Sequence, residues 1–491
     1  MATASTRGNA HLGIHLEADD PRPLYVQIAD QIVDAIESGG LHPGDRLPAM
    51  RDLARDLDCA LVTVSQAYEL LTARGRATSR VGKGTFVADH RERIEAFERR
   101  WEPDLPRLAR AERMEGVMEQ LVRATAPGAI NFANGHPAPE TFPLSDFARA
   151  FHRTLVEDPP ELMQYRAASG DPDLCESLSS LLRGRGCSAR ADELIVCSGA
   201  QQAADLVAAV LLEARSVVAC ESPTYSGTLG VFDARGVTYV EVASDADGVR
   251  PDDVERVFAE YRPRLLYVNP IAQNPTGAVL LQRRAKQIVA LARRYDVVIL
   301  EDQTGWQLTY DGQAPPPLAA YDTDGRVVVM ESLSKSIFPA LRIGYLYCKG
   351  ALTGALELAK ARTDVFTSTL TQRALWRFMN SPAYARHLRS ARALYLERRN
   401  AFIEELGRAV PWAAVRPPAA GMNVWLSLPP RLSTQAAFDA CARHGVLVMP
   451  CEPFYPTRTG PPALRLSFGH LAPADAAEGV RRLAAALNPL V

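Results

Sequence analysis

The sequence predicts two domains of different class: a small helical domain with a β-hairpin, and a larger α/β domain built on a mostly parallel sheet. The chain has 491 residues, which is more than one hydrophobic core usually spans. Helical apolar spacing dominates residues 21–89, whereas from residue 130 onwards short apolar runs alternate with longer amphipathic segments. Residues 90–128 have mixed charge and three prolines, which is typical of a linker.

Composition excludes several functional classes. The net charge is -2 with 23% charged residues, so there is no global basic field. No apolar run reaches the length of a transmembrane helix, and residues 1–13 lack the apolar core of a signal peptide. The eight cysteines are scattered without a C-x-x-C pair or metal-ligand spacing. We therefore expect a cytoplasmic protein with reduced thiols, no membrane segment and no metal.

The N-terminal pattern predicts a winged helix-turn-helix. The predicted elements are a first helix with Ile28, Ile32 and Ile36 on one face, a second over roughly Ala49–Leu57, a third over about Val62–Arg74, and strands at Ala77–Ser79 and Thr85–Ala88. Val81-Gly82-Lys83-Gly84 joins the two strands as the wing. In such a domain the third helix enters the major groove of DNA.

The same segment resembles the DNA-binding domain of GntR-family repressors, through PLYVQIADQI, GDRLPAMRDLA, TVSQAYELL and GKGTFVA. The resemblance implies that Arg46 and Arg51 contact DNA backbone or bases, that Thr63 contacts a phosphate, and that Lys83 is the groove contact of the wing. The chain departs from the family at the start of the third helix, where Leu61 replaces the usual arginine.

The balance of basic and acidic residues in this segment does not by itself favour DNA binding. Residues 21–90 contain eight Lys or Arg against nine Asp or Glu. Because phosphate neutralisation dominates affinity for DNA, binding is modest unless the basic residues cluster on one face. The alternative is a domain that has lost DNA binding and serves only packing.

Five short apolar runs predict the strands of the larger domain: Leu194–Cys197, Ser216–Cys220, Leu265–Val268, Val297–Leu300 and Val327–Met330. Turn residues and a longer amphipathic segment follow each of them. This alternation predicts a largely parallel sheet with helices on both faces, and ligands bind such sheets at the carboxyl ends of the strands.

The strand at Val327–Met330 leads into ESLSKSIFPALRIG, which carries Lys335. A lysine that can be neutral condenses with an aldehyde to form a Schiff base. Ser332, Ser334 and Arg342 stand beside it, and a hydroxyl and a guanidinium suit a phosphate. These residues predict a pyridoxal 5'-phosphate (PLP) site; the alternative is a surface lysine after a strand.

Two other predicted strands end in residues that also suit parts of PLP, namely its phosphate and its ring nitrogen. Ser198, Gly199, Ala200 and Gln201 follow one strand and open a helix, whose N-terminal N–H groups can bind a phosphate. Asp302 ends another strand, where a carboxylate against the pyridine nitrogen would keep the ring an electron sink. A small-residue helix start and a helix-capping carboxylate are the alternatives.

Together with NPTG and ESPTYSG, the lysine segment resembles fold-type I aminotransferases. The resemblance implies that Tyr225 stacks on the ring and that Asn274 binds its 3-oxygen. It also implies that Tyr165 reaches the phosphate of a neighbouring subunit, so that the protein is a homodimer. Arg465 in LRLSFG corresponds to the arginine that binds a substrate carboxylate, and Gly135 is expected beside it.

One departure matters for activity. The family places a tyrosine two or three residues after the aspartate, whereas EDQTGWQL has Thr304 and Gly305 there. Thr304 can still donate a hydrogen bond, but Trp306 has no hydroxyl. Loss of the donor should raise the pKa of the imine and impair transamination.

A GntR-type domain, a linker and an aminotransferase domain resemble the MocR subfamily of bacterial transcription regulators. The expected organisation is a flexible arm at 1–20, the winged domain at 21–89, the linker at 90–128, and a PLP domain at 129–491 with a large part over 166–345 and a small part over 350–491. We predict a regulator, not an enzyme, that senses PLP or an amino-acid-like effector through an aldimine on Lys335.

The alternative is an active aminotransferase with a vestigial winged domain, and a PLP-carrying scaffold is a third reading. The near-neutral winged domain and Leu61 favour the enzyme, whereas the missing tyrosine favours the regulator. The sequence leaves open the effector, the operator, and whether control is activation or repression.

Overall fold

The computed structural model describes residues 13–17, 19–80, 82–88, 117, 119, 121–122, 127–310, 312–413, 415–457 and 460–491. The contacts divide the chain into two compact units, Met1–Leu105 and Pro106–Val491. The predicted linker over 90–128 falls almost entirely outside the described residues. Among the residues described, no helix has the length and apolar character needed to span a membrane.

The first unit has the predicted order of three helices and a hairpin. Its elements are α1 (Leu24–Glu37), α2 (Met50–Asp56), α3 (Leu61–Ala73), β1 (Ala77–Arg80) and β2 (Gly84–Val87). The two strands are antiparallel, with Thr78 opposite Phe86. The winged helix-turn-helix prediction is confirmed.

The core of this unit follows the spacing seen in the sequence. Ile28 and Ile32 are fully buried on the inner face of α1, against Tyr68 of α3. The Tyr68 hydroxyl donates to the carbonyl of Pro48 at 2.9 Å. This bond fixes the recognition helix to the start of α2, which is the geometry that a helix-turn-helix needs.

The predicted loose arm is partly packed on this unit. Ile14 is buried in its core. The His15 N–H donates to the Gln31 side chain at 3.0 Å, and the Gln31 amide donates back to the His15 carbonyl at 2.7 Å. An apolar side chain and a reciprocal pair of hydrogen bonds therefore order this stretch, while residues 1–12 lie outside the described part.

The second unit contains the remaining elements. Its helices are α4 (Leu144–Glu157), α5 (Pro172–Gly184), α6 (Ala200–Leu211), α7 (Ser226–Asp233), α8 (Pro251–Tyr261), α9 (Gln282–Tyr295), α10 (Ala351–Asp364), α11 (Thr369–Met379), α12 (Pro382–Ala409), α13 (Thr434–Arg443) and α14 (Pro473–Leu487). Its strands are β3 (Ile130–Asn131), β4 (Leu194–Cys197), β5 (Val217–Ser222), β6 (Thr238–Asp245), β7 (Gly248–Val249), β8 (Leu265–Val268), β9 (Val298–Asp302), β10 (Val327–Ser332), β11 (Gly344–Tyr347), β12 (Asn423–Ser427), β13 (Val446–Leu447), β14 (Met449–Pro450) and β15 (Ala463–Ser467).

Eight strands form the main sheet in the order β4-β11-β10-β9-β8-β5-β6-β7. The pairs from β10 through β9, β8 and β5 to β6 are parallel, as predicted. Strand β11 is antiparallel to both of its neighbours, and β7 is antiparallel to β6. Strands β6, β7 and β11 were not predicted: β7 is two residues long, and β6 is only half-buried, without a continuous apolar run. Strand β11 follows directly on the lysine segment that ends at Gly344, and it has no separate pattern that marks a new element.

The smaller part is built on the antiparallel sheet β12-β15-β14. Strand β3 pairs in parallel with β13, far along the chain. Phe132 accordingly lies in the same core as Phe402, Val424 and Leu466. The smaller part therefore includes residues near 130 together with those from Phe402 onwards, whereas Leu356 and Leu375, which also follow residue 350, lie in the cores of the main sheet.

Candidate functional site

A cavity of about 400 Å³ lies at the carboxyl ends of the central strands. Most of the predicted cofactor and effector residues line it: Gly135, Ala200, Gln201, Tyr225, Asn274, Asp302, Thr304, Ser332, Ser334, Lys335, Arg342 and Arg465. Ser198 and Gly199 adjoin it through Arg342. Parallel strands deliver their carboxyl ends to one edge, which explains why residues from distant segments meet here.

Lys335 is held inside this cavity by the main chain. Its Nζ donates to the carbonyl of Gly135 at 2.8 Å, across 200 residues of sequence. Burial, and then the charge of Arg465, lower the pKa of Lys335 to about 8. A larger fraction of the amine is therefore neutral near neutral pH, as a nucleophile that attacks an aldehyde requires.

Asp302 is fixed by donors on both oxygens. The Tyr267 hydroxyl donates to Oδ2 at 3.0 Å, and the Thr304 N–H donates to Oδ1 at 2.9 Å. Burial raises the pKa of Asp302 above its usual range. No cation pairs with this carboxylate among the described residues, so it suits a positively charged ring nitrogen.

Asn269 links two of the predicted ring-binding residues, Asp302 and Asn274, and it was not predicted from the sequence. Its amide donates to the Asp302 carbonyl at 2.7 Å and accepts the Asn274 N–H at 2.8 Å. Its own N–H donates to the buried carboxylate of Glu221 at 2.6 Å. The available signal was its position directly after the strand LLYV, at the ligand-binding edge.

One corner of the cavity is built for an anion. Arg342 Nη2 donates to the Ser198 carbonyl at 2.8 Å, and the Ser332 hydroxyl donates to that of Ser334 at 2.9 Å. Gly199 has φ +95°, and a Cβ there would stand 3.0 Å from Arg342 Nη2, so both the conformation and the space require glycine. Helix α6 begins at the next residue, where N–H groups lack intrahelical partners.

Tyr225 closes the cavity as a flat apolar wall. It immediately precedes α7, and a Cβ on Gly227 would come within 2.6 Å of its ring, so the ring lies against the helix start. Burial raises the pKa of Tyr225, which keeps the phenol neutral. Such a ring can stack on an aromatic cofactor.

Arg465 is a buried cation without an acidic partner. It lies in β15 with 7% of its surface exposed, and it forms no ion pair within the described residues. Nη2 donates to the Ala133 carbonyl and Nη1 to Asn274 Oδ1 at 3.5 Å, whereas Nε has no partner there. Burial lowers the pKa of Arg465 to about 10. A buried guanidinium in this state calls for an anion.

Two further residues that line the cavity near Arg465 were not predicted. Asn423, at the start of β12, has a buried Oδ1 without a partner in the described part of the chain. His136 also lines the cavity, and burial followed by the charges of Lys335 and Arg465 lowers its pKa. Orphaned polar atoms beside a buried cation show that these residues fit a polar ligand.

The winged unit keeps a small set of unpaired cations. Arg46, Arg51 and Lys83 are exposed and form no ion pair among the residues described. The other arginines that make ion pairs do so with acids of the same unit: Arg22 with Asp20 and Asp30, Arg55 with Asp52, Arg74 with Asp30, and Arg76 with Glu37. Although the winged unit has almost no net charge, three of its cations are therefore unpaired among the described residues, and they stand at positions predicted to contact DNA.

These cations lie on or beside the wing and α2, two of the elements with which a winged helix-turn-helix contacts DNA. A Cβ on Gly84 would stand 3.0 Å from Arg46 Nε, so this guanidinium lies against the wing that also carries Lys83. Arg51 stands in the first turn of α2 and Thr63 in the first turn of α3. Leu61 and Val62, 46% and 62% exposed, occupy the start of the recognition helix.

Residues 127–483 match the family of class I and II aminotransferases. The chain belongs to that family. Residues 24–87 match the gntR family of bacterial regulatory proteins, so a gntR-type domain precedes the aminotransferase domain. PLP is the cofactor of class I and II aminotransferases, and the lysine, the anion corner and the Asp302 carboxylate described above fit it.

The relatives include regulators and enzymes. The chain is 28% identical to the probable rhizopine catabolism regulatory protein MocR of Rhizobium meliloti, over 97% of this chain and 96% of that protein. It is 32% identical to the 2-aminoadipate transaminase of Thermus thermophilus, over 76% and 94%. It also resembles the structure of LysN, the α-aminoadipate aminotransferase of Thermus thermophilus complexed with N-(5'-phosphopyridoxyl)-L-leucine, with 31% identity, a TM-score of 0.69, and coverage of 75% and 95%.

The chain differs from the usual aminotransferase pattern at Gly305. This residue has φ +95° and ψ 0°, a left-handed conformation that glycine adopts without strain. The next residue, Trp306, is fixed by donating from Nε1 to Glu331 at 2.7 Å. A tyrosine at Gly305 would therefore be strained by its backbone, which leaves Thr304 as the position from which a hydroxyl can reach the cavity.

Tyr165 lies outside the cavity of its own chain. It is 82% exposed, and its ring meets that of Phe366 edge-on with the centroids 5.8 Å apart. Its contact with the phosphate site of a second subunit stays a prediction.

We expect Thr304→Tyr to lower the pH at which the visible band of bound PLP titrates by about one unit. A phenol that donates to the ring oxygen stabilises its charged form; such a hydrogen bond is worth about 1.5–3 kcal/mol, and one pKa unit is about 1.36 kcal/mol. Spectral titration measures the shift. Thr304→Val is the matched control, since it keeps the shape and removes the hydroxyl. An unchanged titration in Thr304→Tyr would mean that another donor, such as Asn274, already serves.

Proposed function

We propose that the protein is a MocR-type transcription regulator whose aminotransferase domain senses PLP or an amino-acid-like effector at Lys335. The observation that carries the proposal is that one chain retains two ligand sites: unpaired cations in a gntR-type domain, and a buried lysine and arginine in an aminotransferase cavity. A vestigial domain has no reason to keep Arg46, Arg51 and Lys83 free of acids when four other arginines of the same unit are paired with them: Arg22, Arg55, Arg74 and Arg76.

The residues of the cavity have distinct parts in holding the cofactor. PLP supplies an aldehyde and an electron-withdrawing ring when it is bound. Lys335 presents an amine of lowered pKa, Asp302 a carboxylate for the ring nitrogen, and Tyr225 a flat face. Arg342 and the start of α6 offer donors to the phosphate.

The effector that this cavity favours is a carboxylated amine. Arg465 has no acidic partner in the described structure, and its Nε is a buried donor without a partner there. A Cβ on Gly135 would stand 3.9 Å from both Arg465 Nη1 and Asn423 Oδ1, so the three form one corner. A ligand whose carboxylate binds Arg465 would neutralise that cation and place its amine near Lys335, where the aldehyde of PLP would be held.

We further infer that the protein works as a cytoplasmic homodimer. Tyr165 is too exposed to serve its own cavity, and a tyrosine at this place in the chain resembles the one that reaches across in fold-type I proteins. Sedimentation of the full chain would measure the assembly.

A second candidate is a PLP-dependent aminotransferase. The observation in its favour is the retention of Lys335, Asp302 and Asn274 in one cavity, together with 32% identity to a transaminase. Stoichiometric conversion of an amino acid to its keto acid, with turnover when a second keto acid is added, would support this candidate. Gly305 argues against efficient turnover, because no phenol stands where the enzymes of this family have one.

The proposed function is tested by a mobility-shift assay with the DNA upstream of the protein's own gene, with and without PLP. We expect a specific complex whose affinity or mobility changes when PLP is added. A panel of random genomic fragments provides the matched control. Absence of any DNA complex in both conditions, with keto acid formed, would replace the regulator by the enzyme.

Arg51→Ala should weaken the DNA complex more than Arg74→Ala. Arg51 is exposed and unpaired in the described structure, and the loss of a base contact costs about 1–3 kcal/mol. Arg74 is already paired with Asp30 at 2.7 Å, so it serves as the control. Fluorescence anisotropy at several salt concentrations measures both affinities; the salt slope should fall by about one for Arg51→Ala if it contacts a phosphate. Equal, small losses in the two variants would indicate a vestigial domain.

A further inference from the structure

The backbone of Ser198, which contacts Arg342 of the anion corner, is held on both sides of the residue. Its carbonyl accepts from Arg342, and its N–H donates to the side-chain oxygen of Gln202 at 2.7 Å. This N–H is therefore not available to a phosphate. The free donors are the following N–H groups at the start of α6, and their direction depends on how the backbone of Ser198 is held.

Gln202 owes its orientation to a carboxylate. Its amide nitrogen donates to Asp364 Oδ2 at 2.7 Å. An ionised carboxylate only accepts hydrogen bonds, so the amide must turn its nitrogen to Asp364 and its oxygen to Ser198. Asp364, at the last turn of α10, thus fixes the loop of the anion corner through one intervening side chain.

A fully buried lysine completes this chain of contacts. Lys360 has no exposed surface, and its Nζ donates to Asp364 Oδ1 at 2.5 Å. A buried ammonium is costly unless it is paired, and the other buried residue of this helix, Leu356, belongs to an apolar core. An apolar residue would pack there at lower cost, so the charge itself requires an explanation.

The backbone beside Asp364 is strained. Val365 has φ +66° and ψ -63°, and the Phe366 N–H donates to the Asp364 carbonyl at 2.7 Å. This is a γ-turn of the rare, strained hand, and a β-branched residue adopts it at high cost. The turn is fixed on its other side by Thr367, whose hydroxyl donates to the Val196 carbonyl at 3.1 Å. Backbone strain that neighbours hold in place is common at functional sites.

We propose that Lys360, Asp364 and Gln202 are positioning residues that set the loop after β4 for the phosphate of PLP. The relay rests on the use of this cavity for PLP, and it concerns only the phosphate. Lys360 neutralises Asp364, Asp364 orients Gln202, and Gln202 accepts the N–H of Ser198 and so holds the backbone at that residue. Discrimination between PLP and pyridoxal, which lacks the phosphate, accordingly depends on a lysine that lines no part of the cavity.

The test compares the affinities of the full-length apo-protein for PLP and for pyridoxal, measured by absorbance titration. Lys360→Met removes the charge and keeps the volume, and Gln202→Met breaks the relay at its other end without removing a charge. We expect both to lower the ratio of PLP to pyridoxal affinity by about tenfold or more, while pyridoxal affinity changes less than about twofold. Lys286→Met, at an exposed position on α9, is the control and should leave the ratio unchanged.

Each result decides a separate question. If the wild type binds neither compound, the assignment of the cavity to PLP fails. If the wild type prefers PLP and both variants fold with an unchanged ratio, the relay is wrong. Circular dichroism and melting curves establish folding; should Lys360→Met not fold, Gln202→Met decides. Failure of both to fold, or an equal loss for PLP and pyridoxal, would assign these residues to general structure instead.

Discussion

Replacing Lys335 with alanine abolishes the adduct that borohydride traps between the protein and PLP. Lys335 is the only lysine that lines the cavity among the residues described, and its pKa of about 8 makes its amine available near neutral pH. The expected effect is complete loss of the modified peptide in a mass spectrum. The visible band of the wild-type protein should disappear with it.

A lysine outside the cavity provides the control for this experiment. Lys286→Ala removes an exposed amine on α9 and should leave the adduct unchanged. In the Lys335→Ala variant, PLP would still bind non-covalently, held by Asp302, Arg342 and Tyr225. Persistence of the adduct on another lysine would defeat the assignment.

Replacing Arg465 with methionine removes the response to amino acids while PLP binding persists. The variant leaves a ligand carboxylate in a buried corner without its cation, which costs about 2–5 kcal/mol, or roughly 30- to 5,000-fold in affinity. The measurement is the spectral change that an added ligand produces in the PLP-loaded protein. L-Phenylalanine and phenethylamine form a matched pair, because they differ only in the carboxylate.

The wild-type protein should prefer L-phenylalanine to phenethylamine, and Arg465→Met should lose that preference. Other matched pairs, such as lysine and cadaverine, extend the comparison if an aromatic side chain does not fit. Arg465→Lys is the second variant, since it keeps a charge but loses the planar fork. If no carboxylated amine perturbs the spectrum, or if Arg465→Met responds as the wild type does, sensing of PLP itself becomes the better account.

The parts of this protein that could be predicted from sequence are those whose pattern is local. The first helix of the winged unit follows from the spacing of Ile28 and Ile32, and the main strands follow from continuous apolar runs. Lys335 and Asp302 could be identified because parallel strands bring their carboxyl ends to one edge. Each of these inferences needs only a short window and one rule about sheets.

The remaining features depend on contacts between distant segments. The Gly135 carbonyl meets Lys335 across 200 residues, and nothing in the neighbourhood of either residue indicates the pairing. Strand β3 is two residues long and pairs with β13, so it has no pattern of its own. Lys360 is one of only two buried residues of α10, and because lysines usually face water, its burial could not be predicted from the sequence.

The two cations of the cavity, Lys335 and Arg465, also affect the stability of the folded protein when no ligand is bound. Neither Lys335 nor Arg465 forms an ion pair with a carboxylate among the described residues. Burial holds the pKa of Lys335 at about 8 when folded, against an ordinary 10.5, so charging this amine destabilises the folded state fully below pH 8 and progressively less as the pH rises towards 10.5. An anion that binds only the folded chain offsets this destabilisation at neutral pH. We therefore expect the ligand-free protein to unfold more readily than the ligand-bound one, and to be the form more open to proteolysis.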